Sequence, residues 1–542
     1  MKINNFTFEL SENYDESKLL DELSQVFNLE KGPVITDKII IYDTFGWQFF
    51  AKSLSLYQYR SRLFLKNISK DKIIHSMNFV HMPVFSYDFP EGDLKQKISL
   101  LMKKRALLEM AVIYCSCFSY AVLNKDEKIV ARIILEKYAT SMSLPFFSSW
   151  LIVQPVRGYS KVFGKLANLC LKSGIKTRKK QDIYFKALKA VNNKPGSYSN
   201  KFLIKLKPLM RTDTAVKIIL RALLNIIKVN ETNIPKDFDT EILHDFRVAV
   251  RKTRSVLTQV KNVFDPEIAN RFKEDFRSIG KATNELRDLD VYLLNEKHYQ
   301  TMLPDLLNED IKPLFDYLKK KRSSALKRVI NYLDSKTYKK IINDWDQFLN
   351  QPFDSKESGF SKTTSDIKGN LFDFNRQIKS KSLILKASIP IIDRSCKRIY
   401  KIYKDILKKG KLCLEDMQDE KLHELRIQCK KLRYLMEFFS SLFPKKKINI
   451  LIDQLKSLQD HLGDFNDLCV EQEYLMDISD KLFFSGNTKS SKTIIAIGSL
   501  VSSLDKEKQK VKKNFSKVFA CYASLANKKL FQALFLKNKG GL

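Results

Sequence analysis

Along the first 160 residues, apolar positions alternate with polar ones or gather in short β-branched runs, the mark of strands. Phe6–Leu10 alternates, Lys38–Tyr42 is rich in β-branched residues, and Leu54, Leu56 and Leu63–Leu65 suit the two arms of a hairpin. A second hairpin is predicted from Ala111–Leu123 and Ile129–Leu135, which flank the polar turn Asn124–Lys128. After Trp150–Pro155 the period lengthens, with Val162, Leu166 and Leu169 at helical spacing. Pro195, Gly196, their Ser and Asn neighbours and Pro208 then break the chain and predict a linker at 194–212. From Thr214 onward the period is helical nearly throughout, as in Ile218–Leu224, Ile242–Val260 and Leu432–Leu442. Pro352–Ser365 is rich in Ser, Lys and Thr, has no apolar period and predicts a second linker. The expected organisation is a β-rich α+β domain over 1–205, followed by helical bundles over 213–352 and 366–535.

Composition narrows the partner. Among 542 residues, Lys and Arg number 96 against 61 Asp and Glu, a net charge of +35. The surplus is spread over the chain: 33 basic and 18 acidic residues up to Met210, 63 and 43 beyond it. Charge on this scale repels itself within a compact fold and calls for a polyanionic partner: nucleic acid, an acidic membrane surface or an inorganic phosphate chain. The apolar run Ala111–Leu123 is too short to span a bilayer. Glu9, Glu12, Asp15 and Glu16 stand where a signal peptide would need an apolar core. Eight cysteines without a CxxC pair fit reduced thiols in the cytoplasm.

An internal repeat carries the chemistry. Leu243-His244-Asp245-Phe246-Arg247 returns 179 residues later as Leu422-His423-Glu424-Leu425-Arg426. Arg277-Ser278-Ile279 and Asp288-Leu289 return at the same interval as Lys456-Ser457-Leu458 and Asp467-Leu468. A period this long indicates a duplicated multi-helix unit. His244, Arg247, Arg251 and Arg254 step by three, four and three, so they share one helix face, as do His423, Arg426, Lys430 and Arg433. The adjoining stripe is apolar: Leu243, Phe246, Val250 and Leu257, matched by Leu422, Leu425, Cys429 and Met436. A solvated face normally mixes signs and gains from i,i+4 pairs. Two single-sign stripes at one spacing therefore favour polyanion binding, with Arg offering forked phosphate contacts and Lys a point charge. Beside so much positive charge, the two histidines are expected to be neutral and to donate one N–H. Asp288 and Asp467 are expected to orient a nearby Arg or His, or to cap a helix, rather than to catalyse.

These helices and the later Asp-Leu elements resemble the CHAD domain, the conserved-histidine α-helical domain, over about residues 213–525. The resemblance implies two four-helix bundles related by a pseudo-twofold, with a basic central cavity that binds inorganic polyphosphate. On that basis His244, Arg247, Arg251, Lys252 and Arg254 would line the cavity with His423, Arg426, Lys430, Lys431 and Arg433. Lys217, Arg221, Arg277, Arg322, Arg398 and Lys456 would contribute further. Lys430 stands where the first copy has Arg251, which keeps the charge but loses the fork.

The N-terminal part resembles a degenerate CYTH domain, the triphosphate-tunnel fold. The resemblance rests on Tyr42-Asp43-Thr44-Phe45-Gly46-Trp47, Ile134-Leu135-Glu136, Arg157-Gly158-Tyr159 and Pro195-Gly196-Ser197-Tyr198. Active members begin with Glu-x-Glu-x-Lys; here Thr7, Glu9 and Ser11 hold those positions, and one carboxylate makes a poor metal clamp. Arg60 and Arg62 suit phosphate or a solvated turn equally. Gly486–Thr493 approximates a P-loop, but Ser491 replaces its second glycine and Glu473–Phe484 before it reads as helix, not strand. His461 has no counterpart in the first copy, where Ala282 stands, and takes no role. The expected function is polyphosphate binding without catalysis, metal or cofactor, in the cytoplasm, off the membrane and at polyphosphate granules. The rivals are a metal-dependent triphosphatase fed by the helical part and a nucleic-acid-binding protein. The latter is disfavoured because the aromatics do not interleave with Arg on one face.

Overall fold

Alternation along the N-terminal part builds β1 (Phe6–Leu10), β2 (Asn28–Thr44), β3 (Leu54–Tyr59), β4 (Arg62–Asn67), β5 (Lys72–Asn78), β6 (Leu107–Leu123), β7 (Ile129–Ala139) and β8 (Ser148–Pro155). All pair antiparallel in one sheet of order β1-β8-β7-β6-β2-β3-β4-β5. This computed structural model describes residues 5–11, 14–175, 177, 183–199, 204–351, 387–484 and 490–536. The chain divides into two compact units, Met1–Asn200 and Lys201–Leu542. That division falls inside the 194–212 stretch, whereas Pro352–Ser365 and Gly486–Lys489 of the P-loop-like run lie outside the described residues.

Successive strand side chains point to opposite faces, so each face of the sheet needs its own cover. Phe8, Leu10, Ile133, Leu135, Leu151 and Val153 pack against α1 (Glu16–Ser24) and α3 (Ser160–Lys172). Leu56, Leu63 and Leu65 pack against α2 (Asp93–Met102). The other face is filled by α4 (Ile183–Ala190), whose Tyr184, Ala187 and Leu188 sit among Ile41, Ile113, Cys115, Tyr138 and Trp150. Both predicted hairpins form, as β3–β4 and β6–β7. Strand β5 carried little signal, since Ile73 and Ile74 are adjacent and both exposed rather than alternating in and out. The loop after β2 is held by Asp43, whose carboxylate accepts from the backbone of Thr44, Phe49 and Phe50. Burial raises that carboxyl to about 6 against those three hydrogen bonds.

The second unit is helical. Its first copy holds α5 (Thr212–Glu231), α6 (Glu241–Gln259), α7 (Pro266–Ala282), α8 (Asn284–Leu294), α9 (Glu296–Met302), α10 (Lys312–Asp334) and α11 (Lys336–Asn350). The second holds α12 (Ile391–Glu415), α13 (Asp419–Phe438), α14 (Lys445–Phe484), α15 (Ser490–Tyr522) and α16 (Leu525–Phe535). Every member of both apolar stripes, from Leu243 to Leu257 and from Leu422 to Met436, is buried as its spacing required. Packing in the second copy is close enough that a Cβ on Gly410 of α12 would lie 1.9 Å from the Phe519 ring of α15. Among the described residues no helix is long and apolar enough to cross a membrane, and all eight cysteines are unbridged.

Reciprocal contacts make the pseudo-twofold explicit. Thr212 donates its backbone N–H to Ile389 (3.1 Å), and Ile391, its equivalent at the 179-residue interval, donates to Met210 (2.9 Å). Elsewhere Tyr292 stacks on Tyr474 at 4.3 Å while Asn295 donates to Glu471 at 3.4 Å, and these two pairs exchange under the same operation. Such exchange of equivalent partners is what a twofold interface requires.

Candidate polyanion-binding site

The basic stripes lie on α6 and α13, and these two helices pack against each other. Arg251 lies close enough to Arg426 and Lys430 for its charge to act on both. Arg251 and Lys430 are equivalent positions of the repeat, so two like charges confront each other at the pseudo-twofold. Burial, followed by Arg426 and then Arg251, drives the Lys430 amine down to about 8. Among the described residues Lys430 has neither a hydrogen-bond nor an ion-pair partner. Arg251 is exposed. Arg426 is only 15% exposed and gives Nη2 to Asp467 at 3.0 Å, while its Nε is buried without an acceptor among the described residues. Its guanidinium too is pushed down, by burial first and partly by Arg251, against the pull of Asp467.

Arg247 reaches the same neighbourhood but is spoken for. It donates to the carbonyl of Gly280 (3.0 Å), to Thr283 Oγ1 (2.8 Å) and to Asn284 Oδ1 (2.8 Å). Those groups form the break between α7 and α8, where the helix hydrogen-bond ladder is interrupted and carbonyls need donors. Burial and then Arg251 push Arg247 down to about 10, although Asp288 opposes the shift. Asp288 acts on Arg247 by charge and Asp467 pairs with Arg426, so each faces the arginine of its own copy.

Around this core the other candidates separate. Arg254 sits near Arg277; burial and then that neighbour lower its guanidinium, and its Nε is buried without an acceptor among the described residues. Arg277 is exposed and pairs with Glu274 at 3.3 Å. His244 is half-buried, and the exposed His423 contacts Asn466 Oδ1 through Nδ1 at 2.7 Å. Arg433 is held by Glu437 (2.8 Å) and Gln459 (3.3 Å). Lys252 projects off the stripe, is buried, and bridges to Glu437 of the second copy at 2.8 Å with Tyr434 beneath it. Lys431 turns toward Arg398, and burial and then that neighbour lower its amine.

Several expected contributors are engaged elsewhere. Arg322 is clamped by Asp237 (2.7 Å) and the buried Asp290 (2.7 Å), which raise its guanidinium rather than leave it for a ligand. Lys217 and Arg221 donate to the carbonyls of Gln351 (2.6 Å) and Leu349 (2.5 Å), closing the C-terminal end of α11. Arg398 gives two donors to Gln259 Oε1 (3.2 and 2.6 Å). Lys456 lines a depression with Asp453, Asp460, His461 and Asp464, an acid-rich setting unlike the crossing of α6 and α13. The feature that the sequence concealed is the α7–α8 break, since Thr283-Asn284 lies inside an otherwise continuous helical period.

In the N-terminal unit Glu9 forms an ion pair with Lys186 of α4, and that amine also contacts Ser148 Oγ at 3.2 Å and lies over the Trp150 ring. Arg60 is bound by Asp37 (2.9 Å), and Arg62 donates to Ser76 Oγ (2.8 Å). Among the described residues no group of three or more His, Cys, Asp or Glu could hold a metal ion. Glu9, neutralised by Lys186, and Glu136, which the strand register places on the same face across Trp150, belong to no group of three or more donors among the described residues, too small a set to clamp a divalent cation.

The helical unit is similar to the CHAD domain from the plant Ricinus communis, at 20% identity and a TM-score of 0.45, covering 59% of this chain and 95% of that one. PptA from Streptomyces chartreusis matches at 14% identity and a TM-score of 0.39, covering 57% and 99%. HpAC1 from Hippeastrum, a putative adenylyl cyclase described as having a dominant triphosphatase activity, matches at 12% identity and a TM-score of 0.23, covering 36% and 98%. No curated protein matches by sequence. The family model of the CHAD domain matches residues 218–476, a stretch of the helical unit that spans both basic stripes and both Asp-Leu elements.

Proposed function

We propose that the helical unit binds inorganic polyphosphate without transforming it, along the crossing of α6 and α13. One observation carries the reading: Arg251 and Lys430, equivalent by the repeat, meet beside Arg426 as cations that form no salt bridge among the described residues, Asp467 acting on Lys430 only from a distance. Confronting like charges in a half-buried place raises the free energy of the empty protein, and a chain of phosphates relieves it. Each phosphate gripped by Arg or Lys releases condensed counterions, so binding is multivalent and salt-sensitive. Affinity for long-chain polyphosphate is expected to fall on the order of tenfold or more between about 50 and about 200 mM salt. A flat salt response overturns the proposal.

Two arms exclude the rivals. Short duplex or single-stranded DNA is expected to displace polyphosphate poorly; equal displacement would favour a nucleic-acid-binding role. No phosphate release from triphosphate is expected with Mg²⁺ or Mn²⁺, because Glu9 is held by Lys186. Turnover abolished by Glu9→Gln would instead establish the triphosphatase. The same reading places the protein at cytoplasmic polyphosphate granules, a setting tested by imaging a fluorescent fusion under phosphate excess.

A further inference from the structure

Where Gln259, Val260 and Lys261 leave the C-terminal end of α6, they close a half-open cavity of about 200 Å³ against α12 and α13. Its lining includes none of Arg247, Arg251, Arg426 or Lys430. The charge comes from one face of α12, where Arg394, Lys397, Arg398 and Lys401 fall at helical spacing. The wall is apolar and consists of Val260, Leu435 and Phe439, all buried. Among the described residues no carboxylate lines it.

Among the described residues the two arginines are anchored by neutral acceptors. Arg398 binds the Gln259 amide oxygen, and Arg394 donates Nη2 to the Lys261 carbonyl. Their geometry is fixed without a salt bridge among the described residues, Asp405 acting on Arg398 only from a distance, in contrast to Arg322 between Asp237 and Asp290. Burial lowers both guanidiniums. A guanidinium oriented by neutral bonds keeps its remaining N–H donors for a forked anion such as phosphate. Bare polyphosphate would leave the apolar wall unused and would lose hydration against Phe439. The volume lies below the roughly 300–1,000 Å³ typical of sites for drug-sized ligands. A single phosphate with a short apolar body is the matching shape.

We propose that this cavity is a second anion site, separate from the crossing of α6 and α13, for a compact organic phosphate. The phosphate sits on Arg394 and Arg398 with Lys397 and Lys401 at the rim, and the apolar body lies against Phe439, Leu435 and Val260.

Phenyl phosphate is the probe, titrated calorimetrically into the full chain alongside inorganic phosphate. One saturable equivalent of phenyl phosphate is expected, with inorganic phosphate about tenfold weaker because it buries no ring. Lys397 and Lys401 are exposed, so K397Q/K401Q is expected to fold normally. That variant should weaken phenyl phosphate about tenfold while long-chain polyphosphate affinity changes by less than about threefold. R251E/K430E should do the reverse. Absence of saturable phenyl phosphate binding, or equal binding of inorganic phosphate, overturns the proposal. So does a K397Q/K401Q variant that weakens both ligands equally, which would mean one continuous basic track. If phenyl phosphate binds as described and polyphosphate binds nowhere, this site stands and the polyphosphate reading falls.

Discussion

Arg247 and Arg426 occupy the same position in two copies of one sequence, yet they work differently. Arg247 satisfies a carbonyl, a hydroxyl and an amide oxygen at the broken α7–α8 junction. Arg426 faces the unbroken α14 and finds a single carboxylate, that of the largely exposed Asp467. One position further along the stripe the roles divide again. Arg251 is exposed, whereas Lys430 is half-buried and close to losing its proton at mild alkaline pH. Duplication preserved the charge pattern, and each copy's third helix decided how much of it remains for a ligand. The first copy spends one arginine on architecture; the second retains an amine whose charge responds to pH.

The sharpest way to break the comparison is to reverse the charges at the pseudo-twofold. R251E/K430E is expected to cost long-chain polyphosphate at least about a hundredfold in affinity, since two charge-assisted contacts become repulsions. K319E/K320E, the same change in charge on α10, is expected to cost less than about threefold. Equal losses would mean diffuse attraction by the whole surface.

Stability separates the two arginines next. Arg247→Ala removes the shared donor of Gly280, Thr283 and Asn284, leaving the Gly280 carbonyl with Thr283 Oγ1, and is expected to cost about 2–3 kcal/mol in urea denaturation. Arg426→Ala removes one ion pair to an exposed partner and is expected to cost about 1 kcal/mol or less. A reversed order would show that the α7–α8 break does not depend on Arg247.

The pH response is smaller and has a definite sign. Lys430 titrates in the folded protein near 8, below its unfolded value, so its protonated form destabilises the empty fold at neutral pH. Stability of the empty protein is therefore expected to rise between about pH 8 and pH 10 as that amine deprotonates before its unfolded counterpart. A bound anion favours the protonated amine, so polyphosphate affinity is expected to fall through about pH 8, with proton uptake on binding. Calorimetry in buffers of different ionisation enthalpy measures that uptake. Lys430→Arg is expected to abolish it and, by restoring the fork of the first copy, to raise affinity at pH 8 by about two- to fivefold. Unchanged proton uptake in that variant would assign the titration to another group.

Much of this was legible in the chain itself. The 179-residue interval, the 3-4-3 stepping of the cations and the apolar stripe beside them are local periodicities, and a helix converts such periodicity into faces without help. The same holds for the two hairpins around Asn124–Lys128 and between Leu56 and Leu63. Even the missing carboxylate of the first strand, where Thr7 stands, was visible, and Glu9 proves to be held by a lysine 177 residues away.

What remained hidden was the pairing of each cation, because pairing is set by contacts across long stretches of sequence. Arg322 meets Asp237 across 85 residues, and Lys252 crosses into the other copy to reach Glu437. Arg398 finds Gln259 across 139. Composition and period determined that two arginine-rich faces exist; the fold alone decided that they meet at Arg251 and Lys430, since the energy of a charge depends on which neighbours and how much water surround it.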